Sequence, residues 1–129
     1  MRAMVAVTAA MMLLVGCAST ETVRESKGEG TKKLYSATYE IVYPAVLRAA
    51  KSEKLDVVAT DKKAGRVDLS HGVTLWSWGE RISIFVTKVS AKKTEVEIVS
   101  KPVLAPLNFP PDWQNRLIKA IDRELKVAS

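Results

Sequence analysis

Residues 80–100 constrain the fold more than any other stretch of the chain. From Glu80 to Ser90, Ile82, Ile84 and Val86 alternate with Ser83, Phe85 and Thr87. A period of two sends successive side chains to opposite faces, so this segment reads as a strand with one apolar face inward. Ala91, Lys92 and Lys93 make a turn. Thr94 to Ser100 then returns with Val96 and Ile98 facing in and Glu95 and Glu97 facing solvent. The pair is an antiparallel hairpin, and the rest of the chain must cover its apolar face.

The flanking segments supply that cover. Tyr35, Ala37, Tyr39 and Ile41 alternate with Ser36, Thr38 and Glu40, which predicts a first strand over 35–41. Pro44 stands where a helix would start, its missing N–H costing nothing at the first helical position. A helix over Ala45 to Lys54 follows, with Val46, Leu47 and Ala50 as its apolar side. Leu55 to Thr60 is a second strand, and the turn Asp61 to Gly65 uses glycine for a positive φ. Arg66 to Ser70 is the third strand. After the hairpin, Pro102, Pro106, Pro110 and Pro111 make a loop. Either Asp112 caps the last helix, or Pro111 is its first residue and Asp112 meets the positive end of the helix dipole. Trp113, Leu117, Ile121 and Leu125 recur at every fourth position with Ile118 beside them, so the helix is amphipathic and runs to about Lys126. The order β-α-β-β-β-β-α, with both helices returning to one face of an antiparallel sheet, argues an α+β two-layer sandwich.

The N-terminus carries a different signal. Met1-Arg2 precedes the uncharged run Ala3 to Val15, the layout of a secretory signal peptide. A spanning helix needs roughly 20 apolar residues, and this run is too short for one. Leu14-Val15-Gly16-Cys17 resembles the lipobox of bacterial lipoproteins. That resemblance implies cleavage after Gly16, diacylation of Cys17 with palmitate-type chains, and a membrane-bound protein of the cell envelope. Ala18, where an Asp would signal inner-membrane retention, implies the outer membrane facing the periplasm. Cys17 is the only cysteine, so once lipidated it leaves no disulfide, and the folded part rests on its core. The chain divides into a signal peptide at 1–16, a lipidated flexible tether at 17–32 and a single domain at 33–129. Residues 18–31 are polar and mixed in charge, with Val23 their one sizeable apolar side chain, too little to order them. The whole chain is 47% hydrophobic with three Trp, so the domain has the means to form a real core.

A long terminal helix across a curved antiparallel sheet resembles the helix-grip folds. Among these are the repeated domains of lipoprotein subunits of the outer-membrane β-barrel assembly machine. More locally, Ser77-Trp78-Gly79-Glu80, the following strand pair with Ser100, and Asp112-Trp113-Gln114-Asn115 are similar to a family of small uncharacterised bacterial domains. That family's pattern places Gly where this chain has Gln114, and the resemblance supports a fold without adding an activity.

Catalysis finds little support in the residues. His71 is the only histidine, stands at a strand end as a turn residue, and has no spaced metal-ligand cluster beside it. Ser70, Ser77 and Ser100 lack a nucleophile elbow. Glu95 and Glu97 read as a solvated strand face, and Gly65, Gly72 and Gly79 form no phosphate cradle. The expectation is no enzyme, no cofactor and no metal. Nucleic acid is not an expected partner in that compartment, and no helix-turn-helix, aromatic RNA-binding or zinc-finger signature is present.

Surfaces are the better candidates. Trp76 and Trp78 stand between two strands, and Leu104, Leu107 and Phe109 follow in the proline-rich loop. Together they would make an apolar patch for an envelope protein partner. The alternative for Trp78 is a structural corner at the sheet end. Arg116, Lys119, Arg123 and Lys126 form a basic stripe on the last helix, either a contact for an anionic surface or a solvated face. The net charge of +6 suits either. Two functions follow. One is a non-catalytic envelope lipoprotein docking a protein partner as an accessory or assembly factor. The other is a module binding a lipid or other apolar ligand between the last helix and the sheet, in a void lined by Ile84, Val96, Leu117 and Ile121. The filled-looking helix face favours the first. The oligomeric state is not legible.

Overall fold

The hairpin of residues 80–100 lies at the heart of a five-stranded sheet. The computed structural model describes residues 26–72, 79–102 and 112–128. These form β1 (Thr31–Tyr35), α1 (Tyr39–Ser52), β2 (Asp56–Asp61), β3 (Arg66–His71), β4 (Glu80–Ser90), β5 (Lys93–Pro102) and α2 (Trp113–Ala128). The strand order is β1-β5-β4-β3-β2, antiparallel throughout. Because β1 and β2 are the two edges, α1 must cross the whole sheet between them. The rest is a meander from β2 to β5 that closes on β1. This is the expected β-α-β-β-β-β-α sandwich, in a helix-grip-like arrangement.

Both helices cover the face built from Val67, Leu69, Ile82, Ile84, Val86, Val96 and Ile98. From α1 come Val42, Tyr43, Val46, Ala49 and Ala50, and from α2 come Trp113, Leu117, Ala120 and Ile121. Ile84, Val96, Ile98, Leu117 and Ile121 are fully buried. Each such side chain contributes about 1.5–3 kcal/mol by leaving water. Small Ala49 and Ala50 let α1 approach closely. The helices are also tied by Arg48 to Glu124 (3.1 Å) and by Arg116 and Arg123 to Glu53 (2.8 and 3.1 Å).

Several sequence expectations need correction. The first strand is Thr31–Tyr35, and Tyr39 and Ile41 belong to α1. The period-2 reading of 35–41 fails because Tyr39, Val42, Tyr43, Val46, Ala49 and Ala50 carry a helical repeat that overlaps it. Pro44 lies inside α1 rather than at its start. It removes the amide that would bond the Glu40 carbonyl, near the helix start, where Glu40 is exposed to water. Thr38 caps the helix with its carbonyl, which accepts from the Ile41 and Val42 amides. β5 continues to Pro102, which pairs with Glu80. For the last helix, Asp112 is the cap: its Oδ1 accepts from the Asn115 amide at 3.2 Å. Gly65 has the positive φ expected of it, 73°.

Glu97 is the clearest departure. The strand pattern places it in solvent beside Glu95, yet it is buried. Its Oε2 accepts from the amides of Gly28 (2.6 Å) and Gly30 (2.9 Å). Residues 26–30 therefore pack on the sheet face opposite the helices, ahead of the expected domain start at Lys33. Gly30 lies directly against the Ile98 carbonyl, where a Cβ would not fit. Lys27 sits over the Phe85 ring at 5.6 Å. On the same face Ser83 donates to buried Asp68 at 2.7 Å. A carboxylate that accepts two amides is stabilised by charge-assisted bonds, which repays its burial.

Candidate functional site

Three small residues border an open concavity among the described residues. Ser36, Ala37 and Thr38 form the whole link between β1 and α1, and none is long enough to reach the last turns of α2. The space left is an open cleft of about 510 Å³, lined by Tyr35, Ser36, Ala37, Thr38, Ile41, Lys92 and Leu125. Its walls are mainly apolar. Ile41 is 49% exposed although it sits on a helix that is otherwise well packed. Lys92, from the β4–β5 turn, places a cation on the lining.

The floor is rigidly held. The Tyr35 ring is buried, and its hydroxyl donates to Asp122 Oδ1 at 2.9 Å. Lys33 Nζ donates to both oxygens of Asp122 (2.9 and 2.8 Å) and lies over the Tyr35 ring at 5.2 Å. Burial first, then the bond to Asp122 and its charge, push the Tyr35 pKa well above its ordinary value. The hydroxyl thus stays protonated and keeps its donor role. Thr94 fixes the link itself, donating to the Ala37 carbonyl at 2.8 Å.

The ligand-binding alternative places a void around Ile84, Val96, Leu117 and Ile121, but all four are fully buried in the continuous core, as the filled helix face suggests. The concavity lies beside them, at the C-terminal end of α2. Sequence reasoning looks for gaps on the helix and misses those in the strand-to-helix link. The signal that could have found it is the run of small residues after Tyr35.

The opposite end of α2 is closed by polar contacts. His71 is the last residue of β3 rather than a turn residue, and its Nδ1 meets Glu80 Oε2 at 2.8 Å. Glu80 is completely buried. The imidazole tilts against Trp113 with ring centroids 4.8 Å apart, and the Arg116 guanidinium covers the indole at 4.5 Å. Sequence reasoning singles out His71 but not its carboxylate partner, because the pairing needs the β3–β4 register.

The other sequence-derived candidates divide into two groups. Cys17, Trp76, Trp78, Leu104, Leu107 and Phe109 lie outside the described residues. On α2, Arg116 and Arg123 are held by Glu53, Lys119 is exposed, and Lys126 is also exposed. Among the described residues, no cluster of three or more His, Cys, Asp or Glu could hold a metal ion, and no helix is long and apolar enough to cross a membrane.

No protein-family model matches the chain, and no curated protein matches it. Solved structures do. One is the di-domain ARO/CYC BexL from the BE-7585A biosynthetic pathway, at TM-score 0.48 and 16% identity over 75% of this chain. The chain spans 42% of the length of that di-domain protein. A second is TTHA0849 from Thermus thermophilus, at TM-score 0.43 and 15% identity, covering 77% of this chain and 97% of that one. A third is Ara h 8.0201, at TM-score 0.41 and 10% identity, covering 76% and 93%. These likenesses concern the course of the backbone and say nothing of ligand or activity.

Proposed function

We propose that this domain binds an apolar ligand, such as an acyl chain, in the cleft between the C-terminal end of α2, the start of α1 and the β1 edge of the sheet. One observation carries the reading: a cleft of about 510 Å³ with largely apolar walls, on a domain whose central core is otherwise filled. Ligand sites are concave, mostly apolar and marked by a few placed polar groups, here Ser36, Thr38 and Lys92. The Lys92 ammonium favours a ligand with an acidic head. The role is to hold rather than to transform, and the lipobox at Cys17 would place it at a bacterial envelope membrane. The test is titration of a fluorescent fatty acid into the chain and into Ala37→Trp, which fills the cleft from its link side. Saturable binding that is lost in Ala37→Trp supports the reading. Binding of equal strength to both overturns it.

A further inference from the structure

The cleft opens at one end of the molecule, and lysines outnumber acids at that end. The β2–β3 turn brings Lys62 and Lys63, the end of β4 brings Lys88, the β4–β5 turn and the start of β5 bring Lys92 and Lys93, and the segment before β1 brings Lys27. The register places these elements together: Tyr35 pairs with Thr94, Lys88 pairs with Thr94 from the other side, and the Val86 amide donates to the Gly65 carbonyl at 2.6 Å. Lys27, Lys63 and Lys88 line one further concavity of about 360 Å³, with Glu40 its acidic member. All these lysines are exposed, and among the described residues none forms an ion pair. Of the nearby acids, Asp61 faces Arg66 at 4.0 Å and receives the Ala64 amide. By contrast, the two arginines of the α2 stripe are engaged by Glu53.

Exposed apolar side chains occupy the same end. Val89 is 56% exposed and Ile41 is 49% exposed. Unpaired lysines around projecting aliphatic groups match a bilayer surface bearing anionic headgroups: the cations meet phosphates while the aliphatic groups enter the interface. The short sequence distance from the lipobox to this end agrees. Cys17 precedes Lys27 by so few residues that even a fully extended link reaches only about 35 Å. A lipid on Cys17 would therefore keep this end near the membrane.

We infer that the lysine-bearing end of the domain docks on an anionic phospholipid surface, with Lys62, Lys63, Lys88 and Lys92 as its principal contacts. Each lysine near such a surface contributes about 1 kcal/mol, screened within a Debye length. This surface does not rest on the cleft being occupied, and the two readings fail separately. The test is cosedimentation of the full chain carrying Cys17→Ser, so that no lipid on residue 17 holds it, with vesicles of phosphatidylglycerol mixed into phosphatidylcholine or of phosphatidylcholine alone. The expected result is at least tenfold stronger binding to the anionic vesicles, falling with salt. Lys62→Glu/Lys63→Glu/Lys88→Glu should abolish that preference. Arg116→Glu/Lys119→Glu on α2, and Ala37→Trp in the cleft, should keep it, with circular dichroism confirming that each variant is folded. Equal binding to both vesicle types overturns the inference. So does a loss of preference as large in the α2 variant as in the lysine variant.

Discussion

The two ends of α2 face the same sheet and are finished in opposite ways. At the Trp113 end, the indole packs on His71, Arg116 covers it, and His71 is bonded to the buried Glu80. At the Leu125 end, Asp122 is bonded to Tyr35 and Lys33, but beyond it Leu125 faces Ser36, Ala37 and Thr38 across a gap, and the cleft remains. The difference lies in side-chain length, not in the backbone. Where strand residues opposite the helix are long, the space is filled and the contact is structural. Where the chain passes three small residues on its way from β1 to α1, space is left for another molecule. The contrast separates residues that hold the fold from residues that face a ligand.

The largest effect that would sharpen this contrast is at the sealed centre. Leu117→Ala should lower stability by about 2–5 kcal/mol in a denaturant titration, because a fully buried leucine leaves a cavity. A loss below about 1 kcal/mol would mean that the centre is loosely packed and that the cleft extends into it. At the closed end, Glu80→Gln should cost about 1–3 kcal/mol, since a buried charge-assisted bond to His71 is exchanged for a neutral one. Fatty acid binding should be unchanged in that variant. If it weakens as much as stability does, the two ends are coupled and the contrast breaks.

Tyr35 offers a pH test on the cleft floor. Its pKa in the fold lies above its ordinary value of 10.0, which it regains on unfolding. Below pH 10 both states keep the proton, and the contribution to stability is fully present. As pH rises past 10, the unfolded chain releases the proton and the folded chain does not. Stability then falls by up to about 1.4 kcal/mol per pH unit from this group alone. Tyr35→Phe should remove that part of the slope, measured as the difference between the two proteins' denaturation midpoints from pH 9 to 11. Identical slopes would show that the hydroxyl is neither buried nor held by Asp122 in the fold. The smallest effect belongs to Leu125→Ala, which should cost under about 1 kcal/mol of stability while measurably weakening the fatty acid. A loss as large as that of Leu117→Ala would make Leu125 a core residue and the cleft a packing defect.

How much of this is readable from the chain depends on how local the signal is. The β4–β5 hairpin, the β2–β3 turn with Gly65 and the α2 stripe are legible, because each is written in neighbouring residues. The start of α1 is not, since the alternation Tyr35-Ala37-Tyr39-Ile41 and the helical repeat from Tyr39 share the same letters. Only packing of Val42, Tyr43 and Val46 on the sheet decides between them. Glu97 looks like a surface residue because its partners, the amides of Gly28 and Gly30, lie in a segment whose composition promises no order. The His71–Glu80 bond and the end-on gathering of lysines depend on strand register. The cleft depends on what is missing opposite Leu125, and a pattern search for apolar residues does not find a gap.

The most direct measurement is an isotope-labelled NMR titration of the full chain with a fatty acid, following backbone and methyl signals together. Saturating shifts are expected at Ala37, Ile41 and Leu125, with Ile84, Val96 and Leu117 nearly still. Shifts centred on the latter three, or none at any concentration below the fatty acid's own aggregation, would contradict binding in the cleft.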